Sequence, residues 1–177
     1  IKQILEDCGA VDTQAVQIAG AAGTTLPLAD AGRSIAFEDI STAGSFMVFN
    51  NDRRLLETVQ NFAHFFVHES CGFCTPCRVG SSLLKDLVDK LVNGHATQYD
   101  LDEMRQIGAL MRQASHCGLG STAPGSVLDL LDRFPQLVEE QLAHSGYEPA
   151  FDLDAALQEA RDITGRDDAG AHIGSET

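Results

Sequence analysis

Apolar and polar positions keep two different rhythms along this chain. Up to Asn50, short apolar stretches at Val16–Ile18, Ser34–Phe37 and Phe46–Phe49 are separated by Gly20, Gly23, Pro27, Gly32 and Gly44. Runs of that length bounded by glycine and proline predict strands. Residues 1–8 have the makings of a short helix closed by Gly9. The first part therefore reads as a small β-rich unit with one helix.

From Asp52 the period becomes helical. Leu55, Leu56, Val59, Phe62, Ala63 and Phe66 recur on one face, with Asp52 as the expected N-cap. A second helix is expected near Pro76, capped by Thr75, with Leu83, Leu84, Leu87, Val88 and Leu91 as its buried stripe and Gly94 as its end. A third runs from about Asp100 to Ala114, turning Leu101, Met104, Ile107 and Met111 inward. A fourth begins near Pro124 and carries Val127, Leu128, Leu131, Leu137, Val138 and Leu142. Pro135 should kink or split it, because proline removes a backbone donor and crowds the preceding turn. A last short helix is expected over Leu153 to Thr164. The fold class is α+β, with residues 1–51 β-rich, 52–143 a bundle of about four helices, and 144–177 an acidic extension.

Composition narrows the function. Hydrophobic residues make up 44% of the 177, enough to bury a core, and the formal net charge is −14. That charge repels nucleic-acid phosphates and anionic membrane surfaces. No apolar run is long enough to span a bilayer and no signal peptide opens the chain. A cytoplasmic protein, or one peripheral to the inner membrane through a complex, is expected. Acid gathers late, at Glu148, Asp152, Asp154, Glu159, Asp162, Asp167 and Asp168. A solvated surface is the ordinary reading, and a docking tail for a basic partner is the alternative. The chain starts at Ile1, so further sequence upstream is expected.

The cysteines carry the chemistry. Five is an odd number for a disulfide framework, and without an export signal metal or redox use fits better. Cys71, Cys74 and Cys77 form C-x2-C-x2-C, so one short loop can offer three thiolates to three corners of a cubane. Cys117 lies two predicted helices later, so the chain can go out and return to supply the fourth. Cys77 falls in the expected first turn of a helix, where unpaired N–H groups and the helix dipole favour an anionic group. Arg78 adds positive charge, and Gly72, Gly118 and Gly120 would admit backbone close to inorganic sulfide. Zinc competes, although structural zinc usually draws on two C-x2-C-type pairs and Cys117 has only His116 beside it. Structural cysteines without metal are the plainest alternative, and Cys8 reads as an ordinary buried thiol.

Two other patterns carry less. Gly118–Ala123 fits G-x-G-x-x-A, but a dinucleotide fingerprint must follow a strand and this one follows a helix, so it reads as loop backbone around Cys117. His64 and His68 share a helical face, with no third ligand evident, and read as satisfied helix histidines.

The stretch ESCGFCTPCRVG, with HCGLGSTAPGSV further on, resembles the family of the NADH-oxidising flavoprotein subunit of respiratory complex I, the 51 kDa subunit. The diaphorase subunit of NAD-reducing hydrogenases and the β subunit of NAD-dependent formate dehydrogenases share the pattern. Glu69, Pro76, Arg78 and the four cysteines all match in place. The resemblance implies a partial β-grasp (soluble-ligand-binding-β-grasp) unit over residues 1–51, lacking its first strands. It implies an iron–sulfur helical bundle over 52–143, with Cys71, Cys74, Cys77 and Cys117 holding one [4Fe–4S] cluster. The family passes electrons from NADH through FMN to that cluster. FMN and NAD would belong to a parent protein, of which this chain looks like a C-terminal fragment without NADH oxidation of its own. The implied partners are an upstream flavin/NADH domain and other iron–sulfur subunits.

Overall fold

Strand β1 (Thr13–Ile18) lies at the centre of a three-stranded antiparallel sheet, between β2 (Thr24–Pro27) and β3 (Phe46–Asn50). The computed structural model describes residues 1–143 and 153–167. Val16 stands opposite Leu26 on one side and Val48 on the other. Strand pleating sends alternate residues to opposite faces. Val16, Ile18 and Leu26 therefore pack with Ile1, Leu5, Ala31 and Ile40, close to helix α1 (Lys2–Asp7), while Ala15 joins the core of the helices.

The expected strand at Ser34–Phe37 does not form. Ile35 makes only an isolated bridge to Ile40, and Phe37 is 95% exposed. An Arg33–Asp39 ion pair, with Ser34 N–H on Asp39 Oδ2 at 2.9 Å, closes this segment as a turn instead. The second strand comes from Thr24–Pro27, which the apolar pattern does not mark. Cys8, expected to be buried, is exposed.

The helical part follows its period closely. The helices are α2 (Leu55–Glu69), α3 (Thr75–Val92), α4 (Gln98–Ala114), α5 (Gly118–Thr122), α6 (Gly125–Arg133) and α7 (Pro135–Glu139). α3 packs between α2 and α4, and α6 packs on α2, α4 and strand β2. Leu84, Val88, Leu91, Met104, Met111, Val127 and Leu130 form their shared core. Pro135 splits the fourth expected helix into α6 and α7, as its missing donor requires. Leu83, at the edge of the expected stripe, is 43% exposed.

The starts of the helices differ in detail from expectation. α2 begins at Leu55 with Arg54 as N-cap, because Asp52 is held in a turn where its carboxylate accepts from Asn50 Nδ2 at 3.0 Å. α3 is capped by Cys74 rather than Thr75. α4 has a capping box, in which Thr97 caps and Asp100 Oδ2 accepts from the Thr97 N–H.

Polar contacts tie the sheet to the helices. Thr25 N–H donates to Asp129 Oδ2 at 2.8 Å, and Arg133 bridges Asp129 and Asp30. Buried Gln17 accepts from the Thr25 hydroxyl and donates to the Gly20 carbonyl. Burial pushes the Asp129 carboxyl up, although the Thr25 N–H and Arg133 oppose it.

Contacts divide the chain into Ile1–Ala143 and His144–Thr177. In the second unit α8 (Leu153–Thr164) forms as the period predicts. Glu159, Asp162 and Asp167 are exposed, as a solvated acidic face requires. Glu148, Asp152, Asp168 and the Asp154 side chain lie outside the described residues. Among the described residues no helix is long and apolar enough to cross a membrane.

Candidate metal centre

α3 and α4 form an antiparallel pair, so the start of one lies beside the end of the other. That placement brings the loop before α3 next to the loop after α4. Cys71, Cys74, Cys77 and Cys117 line one cavity of about 90 Å³, together with Glu69, Ser70, Phe73 and Leu119. All four are free thiols. Cys77, in the first turn of α3, is buried, Cys74 is half-buried, and Cys71 and Cys117 are exposed.

The loop holding the first cysteines is fixed from both sides. Gly72 sits at φ +75°, a left-handed conformation that a side chain would strain. Arg78, one residue beyond Cys77, donates through Nη1 to the Gly72 carbonyl at 2.9 Å. Its charge therefore sits beside the loop as expected, and its fork also pins the turn. Ser70 Oγ lies 3.4 Å from Cys77 Sγ. The two cysteine segments touch through Phe73 and His116, whose rings meet edge-on at 5.6 Å.

The electrostatics favour thiolate at Cys74. The backbone N–H of His116, and then those of Cys77 and Cys74 itself, hold the Cys74 thiol below its ordinary range. Arg78 adds a smaller pull, and desolvation works against them. A lowered thiol value is what a metal-ligating cysteine needs, since the thiolate is the ligand.

The second segment differs from the expected loop. Residues 118–122 wind into α5, with Cys117 as N-cap in extended conformation, φ −142°. Gly118 has open space around it, whereas Gly120 is tightly enclosed. A Cβ added at Gly120 would lie 2.5 Å from Ser115 Oγ and 2.8 Å from Cys77 Cβ. Gly120 thus lets α5 close against Cys77.

Two hydroxyls that sequence reasoning missed stand at this site. Ser70 contacts Cys77, and Ser115, the C-cap of α4, has a buried Oγ without a hydrogen-bond partner. A buried hydroxyl left unpaired costs about 1–3 kcal/mol. Each serine lies within two residues of a proposed ligand, a proximity that sequence alone could have flagged. The donor set fits an iron–sulfur group, with four cysteines on one cavity, one of them biased toward thiolate, and an unpaired buried donor alongside.

The histidine pair is accounted for without metal. His64 Nε2 bonds Asp89 Oδ1 at 2.8 Å, and His68 Nδ1 lies 3.1 Å from Glu69. Burial works against the charge of Asp89, but the hydrogen bonds from His64, Lys85 and Gln60 outweigh it and bring the carboxyl down to about 2. The bonds from His64 and Gln60 to Asp89 join α2 to α3.

Residues 57–141 match the family model described as the NADH-ubiquinone oxidoreductase-F iron–sulfur binding region. The chain is 45% identical over 160 residues to NAD-reducing hydrogenase HoxS subunit alpha of Cupriavidus necator, an alignment covering 89% of this chain and 27% of that protein. It is 32% identical over 127 residues to NADP-reducing hydrogenase subunit HndC of Solidesulfovibrio fructosivorans, covering 68% of this chain and 26% of the relative. The mitochondrial NADH dehydrogenase [ubiquinone] flavoprotein 1 of Dictyostelium discoideum is 32% identical over 96 residues, covering 54% of this chain and 20% of the relative. Among solved structures, an NAD⁺-reducing [NiFe]-hydrogenase in the H₂-reduced state superposes with TM-score 0.76 at 42% identity, over 96% of this chain and 31% of that one.

Proposed function

Residues 57–141 belong to the NADH-ubiquinone oxidoreductase-F iron–sulfur binding family, and from that premise we propose that Cys71, Cys74, Cys77 and Cys117 hold one [4Fe–4S] cluster. The observation that carries this reading is the convergence of all four cysteines, from segments far apart in sequence, on one cavity. When bound, such a group stores and releases single electrons. The chain's residues supply four thiolates, backbone N–H groups that favour the ionised sulfur of Cys74, and apolar cover from Leu119 and Phe73.

Zinc fits this arrangement less well. A single zinc ion needs its sulfur ligands about 2.3 Å from one centre. Among the described residues no group of three or more His, Cys, Asp or Glu is gathered to hold one ion. A cubane presents a separate iron corner to each thiolate, so its ligands surround a larger body.

The chain acts as an electron-transfer segment of an NADH dehydrogenase-type flavoprotein. It takes electrons that FMN has received from NADH and hands them to the redox centres of partner subunits. The chain spans only about a quarter of HoxS subunit alpha, so the FMN and NADH sites are assigned to a flavin/NADH domain of a parent protein. Residues 1–51 are read as a β-grasp-like packing unit, 52–143 as the four-helix cluster-binding bundle, and 144–177 as an acidic extension.

Anaerobic titration of the reconstituted chain tests this function. Dithionite should bleach the visible absorbance, and NADH alone should not. NADH should bleach it once a flavin- and NADH-binding domain from a relative is joined upstream. Bleaching by NADH without that domain, or failure of dithionite to reduce the chain, would overturn the assignment.

A further inference from the structure

We infer that Ser115 is a positioning residue that donates its hydroxyl proton to sulfur at the Cys77 corner of the cluster and thereby raises the reduction potential. The inference rests on the cluster reading above, and its own observations are separate. Ser115 Oγ is buried and has no hydrogen-bond partner, one of two such side-chain atoms among the described residues. In this structure it reaches no acceptor, Cys77 Sγ included. The Ser115 N–H is already spent on the Met111 carbonyl at 3.1 Å, which fixes the backbone at the end of α4. Gly120 then presses α5 so close that its missing Cβ would meet both Ser115 Oγ and Cys77 Cβ. The hydroxyl is thus confined beside the most buried of the four cysteines.

Inorganic sulfide is the acceptor such a position lacks. Thiolate and inorganic sulfide accept hydrogen bonds, and the reduced cluster carries one more negative charge than the oxidised one. A donor therefore stabilises the reduced form more, and the potential rises. Ser70 already contacts Cys77 Sγ at 3.4 Å, so Ser115 would make Cys77 a corner with two hydroxyl neighbours. Ser126, the second unpaired hydroxyl, lies within α6, outside both cysteine segments. It is an internal control.

The test is an EPR-monitored redox titration of the full chain, with iron counted on each preparation. Ser115→Ala should keep about four irons, one per cubane corner. Its midpoint should move to more negative potential, by about tenfold in the reduction equilibrium, or 59 mV for one electron. Ser115→Thr, which keeps the hydroxyl, should hold the wild-type midpoint, and so should Ser126→Ala. A four-iron Ser115→Ala protein with an unmoved midpoint overturns the inference and leaves the cluster reading intact. Loss of the cluster from both Ser115 variants also overturns it, since side-chain volume rather than the hydroxyl would then be what the site requires. Loss from Ser115→Ala alone, with Ser115→Thr keeping the wild-type midpoint, supports it. Wild-type protein that takes up no iron defeats the underlying reading instead.

Discussion

The two ends of the α3–α4 pair solve the same problem in opposite ways. At the turn end, Asp100 accepts from the Thr97 N–H and hydroxyl and from Lys90 Nζ at 2.6 Å, so the buried carboxylate is fully engaged within the chain. At the other end, four free cysteines face one cavity and the Ser115 hydroxyl has no partner. The same helices enforce both arrangements. The difference teaches that local order is equally strict at both ends, but only the turn end is chemically complete by itself. On the proposed reading, the cysteine end is completed by the cluster, a group with several soft, anionic sulfurs.

Single substitutions test that contrast. Replacing Cys71, Cys74, Cys77 or Cys117 singly with Ser should have the largest effect, cutting iron uptake well below about four per chain because one cubane corner loses its thiolate. Cys8→Ser should leave iron content unchanged, as an exposed thiol away from the cavity must. Gly120→Ala should come next. The added methyl has to displace Ser115 or Cys77, so a loss of about 1–3 kcal/mol in denaturant unfolding is expected, with weaker iron binding.

Asp100→Ala, at the complete end, should cost about 1–2 kcal/mol by losing the capping box, without changing iron content. Burial raises the Asp100 carboxyl, but Lys90 and Thr97 more than offset this and hold it below its ordinary value. Its contribution is therefore full above about pH 4 and is lost as pH falls through the depressed folded value. The gap between wild type and variant in denaturant midpoint should narrow on acidification below about pH 4. Asp89→Asn should cost least, about 1 kcal/mol given its partly exposed partners, and that gap should close between about pH 4 and pH 2.

Much of this is legible in the sequence, and the misses have physical causes. Helices α2, α3, α4 and α6 announce themselves because each buries one stripe, and the four cysteines stand out because C-x2-C-x2-C is rare outside metal sites. Strand β2 is hidden because Leu26 is its only large buried apolar residue, while Thr25 is buried through hydrogen bonds that involve Gln17 and Asp129. Ser34–Phe37 looks like a strand by composition, but ion pairing closes it as a turn. Residues 118–122 look like a loop because Gly118 and Gly120 lower helix propensity. The helix forms there since Gly120 lets it pack against Cys77. Sequence places Ser115 close to Cys117, but not the burial of its hydroxyl, which depends on how α4 and α5 meet.

The central claim is that this cysteine end takes a four-iron cluster and not one metal ion. The direct measurement is anaerobic reconstitution with iron, sulfide and zinc all present, followed by metal and sulfide analysis of the purified chain. The account predicts about four irons and four sulfides per chain, with little zinc. One zinc per chain with no iron would contradict it.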